Sequence, residues 1–115
     1  MGCSITTCLL MAGHPVVAVA PIPEDMVTAI PRVTIHLGKS YKEGITNKNP
    51  NAYLSKLSLT EDYSLLKDCR LVIECTLENE AIKRSVYEKV ERYLPDDAIL
   101  ASNTSAIPIS DLQKL

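Results

Sequence analysis

The stretch DDAILASNTS at residues 96–105, read together with LVIECTLENEAIK at residues 71–83, decides the predicted fold. In each stretch a short apolar run stops abruptly at polar residues, at Glu74 in the earlier one and at Ser102 in the later one. A buried parallel strand that delivers polar side chains at its carboxyl end has this pattern. Because ligands of open α/β sheets bind at the carboxyl ends of the strands, the two stretches predict one crevice.

The rest of the chain alternates helices with short strands, which predicts a doubly wound α/β fold with a parallel sheet. Such a sheet is normally built around a strand that precedes the first helix, whereas this sequence starts on a helix. We therefore expect a sheet that lacks its first strand, in a chain cut at both ends. The first predicted elements are a helix ended by Gly13, a buried strand at residues 16–20, and a helix with Glu24 and Asp25 in its first turn, which runs toward Lys39 and is kinked or broken at Pro31.

A mobile polar stretch is predicted at residues 38–51, followed by a strand around Leu57 and Leu59 and one or two helical turns from Thr60 through Leu66. The remaining predicted elements are a strand ending at Glu74, a helix with Ile82, Val86, Val90 and Tyr93 on one face, a buried strand at residues 99–101, and a last helix starting near Pro108.

Composition favours one soluble domain over residues 1–115, since 46% hydrophobic and 23% charged residues are ordinary for a globular protein. A net charge of −2 gives no electrostatic basis for binding nucleic acid or an anionic membrane. No apolar run approaches the ~20 residues of a membrane span.

The four cysteines form no C-x-x-C pair and have apolar neighbours; they are Cys3, Cys8, Cys69 and Cys75. They are expected to be reduced, buried thiols of a cytoplasmic protein.

Three stretches carry a resemblance to a known family: MAGHPVVAVA at residues 11–20 and the two quoted above, in that order. They resemble the NAD-binding domain of the 3-hydroxyacyl-CoA dehydrogenases, the 3-hydroxybutyryl-CoA dehydrogenases included. The combination of E-x-x-x-E-N-x-x-x-K with a later S-N-T-S is fairly specific. The resemblance implies a Rossmann-like NAD(P)-binding domain over residues 1–115. It also implies that the C-terminal helical domain of the family is absent and that only the tail of its Gly-x-Gly-x-Met-Gly phosphate loop is present.

The resemblance further implies roles for five residues. Gly2 would let the amino terminus of the first helix approach the cofactor pyrophosphate. Glu78 and Lys83 match family residues that contact the nicotinamide end of the cofactor. Ser105 matches the catalytic serine beside the cofactor, which hydrogen-bonds the 3-hydroxyl of the substrate. Asn103 lies next to it in sequence and could orient the cofactor amide or the serine.

Each of these residues also has a plain structural alternative. Gly2 could simply be the residue after a start codon. Glu78 could be an acid in a first helical turn, and Lys83 a solvated lysine. Asn103 could cap a loop, and Ser105 could cap the helix that follows it.

The chain departs from the family pattern at the end of the family's second strand. A carboxylate usually accepts hydrogen bonds from the adenosine ribose there, but this chain has Ala20. Glu24 or Asp25 could take its place, and NADP stays open beside NAD as the cofactor. The general base of the family is a histidine expected beyond residue 115. Neither His14 nor His36 matches it, and both are interpreted as structural.

Three hypotheses for function follow. In the first, the whole protein oxidises 3-hydroxyacyl-CoA reversibly to 3-oxoacyl-CoA with NAD in fatty acid or butanoate metabolism, while the 115-residue chain alone is inactive. In the second, kept open by Ala20, it is a catalytically silent relative that senses nucleotides or serves in assembly. In the third, it is a Rossmann dehydrogenase of a small hydroxy acid. The expected partners are an acyl-CoA substrate and further copies of the same chain, joined through the C-terminal domain. No nucleic acid, membrane or metal is expected.

Overall fold

The computed structural model describes residues 2–20, 22–104 and 106–113. The chain divides into two compact units, Met1–Glu61 and Asp62–Leu115. Each unit contains a pair of parallel strands whose connection includes a helix. This confirms the predicted α/β class with parallel strands. No helix within these described ranges is both long and apolar enough to cross a membrane.

The first unit packs its helices around an apolar centre. Its elements are α1 (Gly2–Met11), β1 (Val16–Val19), α2 (Pro23–Lys42), α3 (Pro50–Leu54) and β2 (Leu57–Thr60). β1 and β2 run parallel in a register that begins with the pair Val16 and Leu57. The buried cluster consists of Leu10, Val33, Leu37 and Tyr53. One residue from α1, two from α2 and one from α3 therefore meet in the core.

The end of α1 follows the prediction, and α2 follows it except at Pro31. Gly13 has a φ of 95°, the left-handed conformation that commonly ends a helix. α2 continues as one helix through Pro31, so of the two predicted outcomes the break is wrong and the kink stays a prediction. Proline removes one backbone donor from a helix. Because Val33 and Leu37 lie beyond the proline and are fully buried, their burial offsets that loss and holds the second half of α2 in place.

The polar stretch at residues 38–51 contains more regular structure than predicted. α2 extends to Lys42, and Gly44, with a φ of 77°, lies in the turn that follows. Asn49 then caps α3 through its side-chain oxygen, which accepts from the Asn51 N–H at 3.0 Å. The turn-rich part is therefore shorter than the predicted stretch, because both of its ends are helical, and the mobility of the stretch stays a prediction.

The second unit holds the two stretches that decided the predicted fold. After a 3₁₀ helix at Tyr63–Asp68, its elements are β3 (Leu71–Glu74), α4 (Glu80–Glu91), β4 (Ile99–Ser102) and α5 (Ile109–Leu112). α4 begins after Asn79, whose side-chain oxygen accepts from the Ile82 N–H at 3.1 Å. β3 and β4 run parallel with Glu74 opposite Ser102. The two strands therefore end side by side, as predicted.

The buried face of α4 agrees with the predicted one only in part. Its buried residues are Lys83, Tyr87 and Val90, which share one face of a helix. Of the predicted face, Val90 is buried and Val86 is half-buried, whereas Ile82 is 38% exposed and Tyr93, beyond the end of the helix, is 41% exposed. The apolar spacing misled the prediction because a buried acid, described below, holds Lys83 and Tyr87 inward.

Burial is lower than predicted at the strands and at the cysteines. β1 is half-buried along its length, and Ile99 of β4 is 64% exposed. Within the described ranges each sheet has two strands, so neither strand is enclosed as the sequence suggested. The cysteines are free, as expected, but Cys8 is exposed and the other three are half-buried.

Candidate functional site

Glu74 is a buried acid at the carboxyl end of β3. The residue is 4% exposed, and the apolar residues before it place it at the strand end. A carboxylate that loses its hydration at such a position requires hydrogen-bond donors from the protein. The surroundings of Glu74 supply five of them.

The five donors are divided between the two carboxylate oxygens of Glu74. Oε2 accepts from the Thr76 N–H at 2.6 Å and from the Thr76 hydroxyl and Lys83 Nζ at 2.7 Å each. Oε1 accepts from the hydroxyls of Tyr87 and Ser102, also at 2.7 Å each. These donors come from the turn after β3, from α4 and from β4. One carboxylate therefore ties together the elements that carry the predicted site.

Lys83 lies fully buried between two carboxylates. Its side chain is 0% exposed, and Nζ lies 2.7 Å from Glu74 Oε2 and 3.3 Å from Glu78 Oε1. Nζ also donates to the Thr76 carbonyl at 3.4 Å. The alternative that Lys83 is a solvated lysine is therefore wrong. Because its ammonium group has three partners and no exposed surface in this conformation, direct contact with a cofactor stays a prediction.

Glu78 holds the turn that follows β4. Its Oε2 accepts from the Thr104 hydroxyl at 2.7 Å, from the Ala106 N–H at 3.0 Å and from the Ile107 N–H at 3.3 Å. Its Oε1 faces Lys83. A connected network thus forms at the ends of β3 and β4, and we call it the polar cluster. Its members are Glu74, Thr76, Glu78, Lys83, Tyr87, Ser102 and Thr104.

Both acids of the polar cluster remain ionised far below neutral pH. Burial by itself raises the pKa of Glu74, but the hydrogen bonds it accepts, including that from Lys83, outweigh burial and lower the pKa to about 2. The Thr104 hydroxyl and the Ala106 N–H lower the pKa of Glu78 to about 2 as well. Burial acts to lower the pKa of Lys83, but its bonds to the two acids raise that pKa overall. Both glutamates are therefore weak bases, poorly matched to general-base catalysis near neutral pH.

Three of the five predicted site residues, Glu78, Lys83 and Asn103, are brought together at the ends of β3 and β4. The Asn103 N–H donates to the Glu74 carbonyl at 2.8 Å, and the residue is exposed. Within the described residues, the side-chain amide of Asn103 makes no hydrogen bond. This amide can therefore donate to, or accept from, a bound group.

The remaining two predicted site residues are Gly2 and Ser105. Gly2 is the first residue of α1 and belongs to the first unit. Ser105 lies outside the described residues. The following helix, α5, begins at Ile109, and its N-cap position is occupied by Pro108. Pro108 therefore occupies the N-cap position that was one suggested role for Ser105.

Sequence reasoning missed the central role of Glu74 and most of its partners. One available signal was the position of Glu74 at the end of an apolar strand, since an acid there needs buried hydrogen-bond donors. Another was the spacing of Lys83 and Tyr87, which lie four residues apart and therefore present two such donors on one helix face. Ser102 could be assigned only after the strand register was known, since no sequence pattern places it opposite Glu74.

Two features bear on nucleotide binding, and one residue departs from the expected pattern. In the first unit, the first turn of α1 contains no acidic residue, so the helix amino terminus is free to favour a phosphate. In the second unit, Asn103 presents an exposed amide at the carboxyl end of β4. The departure is Ala20, which is 6% exposed and supplies no carboxylate for an adenosine ribose.

Comparison with known proteins connects this arrangement to one family. Residues 1–115 match a family model described as 3-hydroxyacyl-CoA dehydrogenase, NAD binding domain. A 3-hydroxybutyryl-CoA dehydrogenase from Mycobacterium tuberculosis is 34% identical over 111 residues, which cover 95% of this chain and 39% of that enzyme. The Arabidopsis thaliana peroxisomal fatty acid beta-oxidation multifunctional protein MFP2 is 32% identical over 116 residues, which cover 100% of this chain and 16% of that protein.

The fold is likewise similar to that of a solved structure. The crystal structure of Mycobacterium tuberculosis FadB2 superimposes with a TM-score of 0.91 at 33% sequence identity. The match covers 99% of this chain and 41% of that one. This chain therefore spans less than half the length of each of the three relatives described.

Proposed function

Because this chain belongs to the family of 3-hydroxyacyl-CoA dehydrogenase NAD-binding domains, we propose that its whole protein oxidises 3-hydroxyacyl-CoA reversibly to 3-oxoacyl-CoA with NAD. Fatty acid or butanoate metabolism is the proposed setting, and an acyl-CoA is the proposed substrate. The observation that carries the proposal is the polar cluster, which fixes the turn carrying Asn103 at the carboxyl ends of β3 and β4. Ligands of open α/β sheets bind at such strand ends.

The residues of this chain contribute binding and orientation to the proposed reaction. When bound, NAD supplies the hydride acceptor. The amino terminus of α1 at Gly2 would bind the pyrophosphate, and the amide of Asn103 would orient the carboxamide. Ser105 is proposed to hydrogen-bond the 3-hydroxyl. Glu78 is proposed to hold the turn beside the nicotinamide end, because three of its hydrogen bonds go to that turn.

A dehydrogenase assay of the protein in its full natural length tests the proposal. Reduced cofactor, followed by its absorbance, should accumulate with NAD and 3-hydroxybutyryl-CoA. A small hydroxy acid such as lactate, used in place of the thioester, should give no turnover. Turnover of the small acid alone would favour a Rossmann dehydrogenase of a small hydroxy acid, and no turnover of either would favour a silent relative.

A polypeptide of only these 115 residues is expected to be inactive in the same assay. The two acids of the polar cluster have pKa values lowered to about 2 and are therefore weak bases for the substrate proton near neutral pH. Neither His14 nor His36 matches the general-base histidine of the family. Equal concentrations of this polypeptide and of the full-length protein should be compared, and turnover by the 115 residues above the enzyme-free blank would contradict the expectation.

Restoring an acid at the end of β1 is expected to tighten NAD binding. The substitution Ala20→Asp in the full-length protein would add a charged acceptor for the ribose, worth roughly 1.5–3 kcal/mol or about ten- to a hundredfold in affinity. Titration calorimetry with NAD measures the change, and Ala20→Asn is the matched control because it adds similar volume without charge. An unchanged or weaker affinity of Ala20→Asp would indicate either that Glu24 or Asp25 already binds the ribose or that the end of β1 does not lie at the ribose.

Two further expectations extend this proposal to the cell. A cytoplasmic location is proposed because the cysteines are free thiols, which a reducing compartment preserves. Self-association of the full-length protein is proposed on the resemblance alone. Neither bears on the chemistry of the polar cluster.

A further inference from the structure

We propose that Glu74 is a positioning residue, which acts through Lys83 and Glu78 to set the turn after β4 that carries Asn103. The catalytic consequence of this inference rests on the proposed function, whereas the positioning itself does not. We call the three side chains the Glu74–Lys83–Glu78 network.

The network forms a continuous path from the strand end to the turn. Glu74 Oε2 lies 2.7 Å from Lys83 Nζ, and Lys83 Nζ lies 3.3 Å from Glu78 Oε1. Glu78 Oε2 then accepts from the Ala106 N–H at 3.0 Å and the Ile107 N–H at 3.3 Å. Every step involves at least one ionised group, and such hydrogen bonds are shorter and stronger than neutral ones.

Burial shows which end of the path is fixed. The side chain of Glu74 is 1% exposed, whereas that of Glu78 is 33% exposed. Glu74 is also held by donors that do not belong to the network, namely Thr76, Tyr87 and Ser102. The buried acid is therefore the anchor, Lys83 takes its position from that anchor, and the more exposed Glu78 takes its position from Lys83.

A charge-free double variant, Glu74→Gln with Lys83→Met, breaks this path without leaving an unpaired buried charge. The glutamine oxygen can still accept from Thr76, and its amide can donate to the hydroxyls of Tyr87 and Ser102, which are able to accept. In the full-length protein without cofactor, NMR should show amide exchange with water at Ala106 and Ile107 faster by about tenfold, as expected for one lost hydrogen bond of ordinary net strength. The Leu94 amide, which donates to the Val90 carbonyl at 3.0 Å, reports general loosening of the same unit and should change less than about twofold.

Two single variants serve as matched controls. Glu74→Gln alone keeps an acceptor for Lys83, and Tyr87→Phe removes a donor from the opposite oxygen of Glu74. In both, exchange at Ala106 and Ile107 should stay within about threefold of the wild type, since neither interrupts the path to the turn. Unchanged exchange at these two amides in the double variant would overturn the inference. So would an equal increase at Leu94, because Glu74 would then serve only general stability.

Steady-state kinetics add a separate readout on the same proteins. The double variant should lower kcat by about tenfold and leave the KM for NAD within about twofold, since a displaced turn impairs orientation more than binding. The single variant Glu74→Gln, which keeps Lys83, should retain most of the wild-type kcat. If the wild type itself shows no turnover, the proposed function fails while the exchange measurement still decides whether Glu74 positions the turn. The positioning role is also refuted if the wild type is active and the decrease in kcat among the variants parallels faster amide exchange at Leu94 and not at Ala106.

Discussion

Replacing Ser105 by alanine in the full-length protein is expected to lower kcat by roughly tenfold to a thousandfold, with the KM for NAD little altered. The reason is that a hydrogen bond to the 3-oxygen of the substrate strengthens as charge develops in the transition state. The melting temperature should hardly change, because the substitution removes little volume and Pro108, not Ser105, occupies the N-cap position of α5.

A second serine in the same segment provides the matched control for this prediction. Ser110 is exposed in α5, so Ser110→Ala makes the same chemical change away from the polar cluster and should leave kcat and melting temperature unaltered. Both variants should be measured on preparations of equal purity. A Ser105→Ala protein that melts earlier yet turns over normally would mean that the serine is structural.

Replacing Lys83 by methionine is expected to destabilise the protein by about 3–5 kcal/mol. Methionine preserves most of the side-chain volume, so the decrease in the free energy of unfolding reports the removal of the charge. Glu74 would remain buried beside the position of the ammonium group, with its carboxylate no longer paired. Urea denaturation of the wild type and the variant, followed by circular dichroism, measures the difference in the free energy of unfolding.

Two comparisons show whether that loss comes from the buried pair. Lys89→Met, on the same helix, removes an exposed lysine whose Nζ lies 5.6 Å from the Tyr63 ring centroid, and it should cost about 1 kcal/mol or less. Adding Glu74→Gln to Lys83→Met removes the unpaired charge and should recover most of the lost stability. A loss below about 1 kcal/mol for Lys83→Met would be incompatible with a buried ion pair at this position.

The order of the elements was predictable from local sequence patterns. Apolar runs that stop at Glu74 and Ser102 marked β3 and β4, because a strand needs only a few residues of consistent polarity. Gly13 marked the end of α1 by backbone conformation alone. Such features are encoded within a few neighbouring residues, and so they can be identified without knowledge of the tertiary contacts.

The composition of the polar cluster was less predictable because it depends on contacts between distant residues. Glu78 and Lys83 were assigned through a family resemblance, but their pairing with Glu74 was not. A lysine on a helix is usually exposed, so no local signal separates Lys83 from an ordinary surface lysine. The inward face of α4 is decided by what Glu74 requires, and that requirement becomes visible only when β3 and the helix are brought together.

The buried ammonium group of Lys83 also affects the chemical durability of the proposed enzyme. Acyl thioesters acylate amines, and the attacking amine must be both unprotonated and accessible. Lys83 is neither, since its pKa is raised and its side chain is 0% exposed. An enzyme that handles such thioesters would therefore keep this lysine unacylated in the presence of its own reactive substrate, while lysines on its surface would carry the damage.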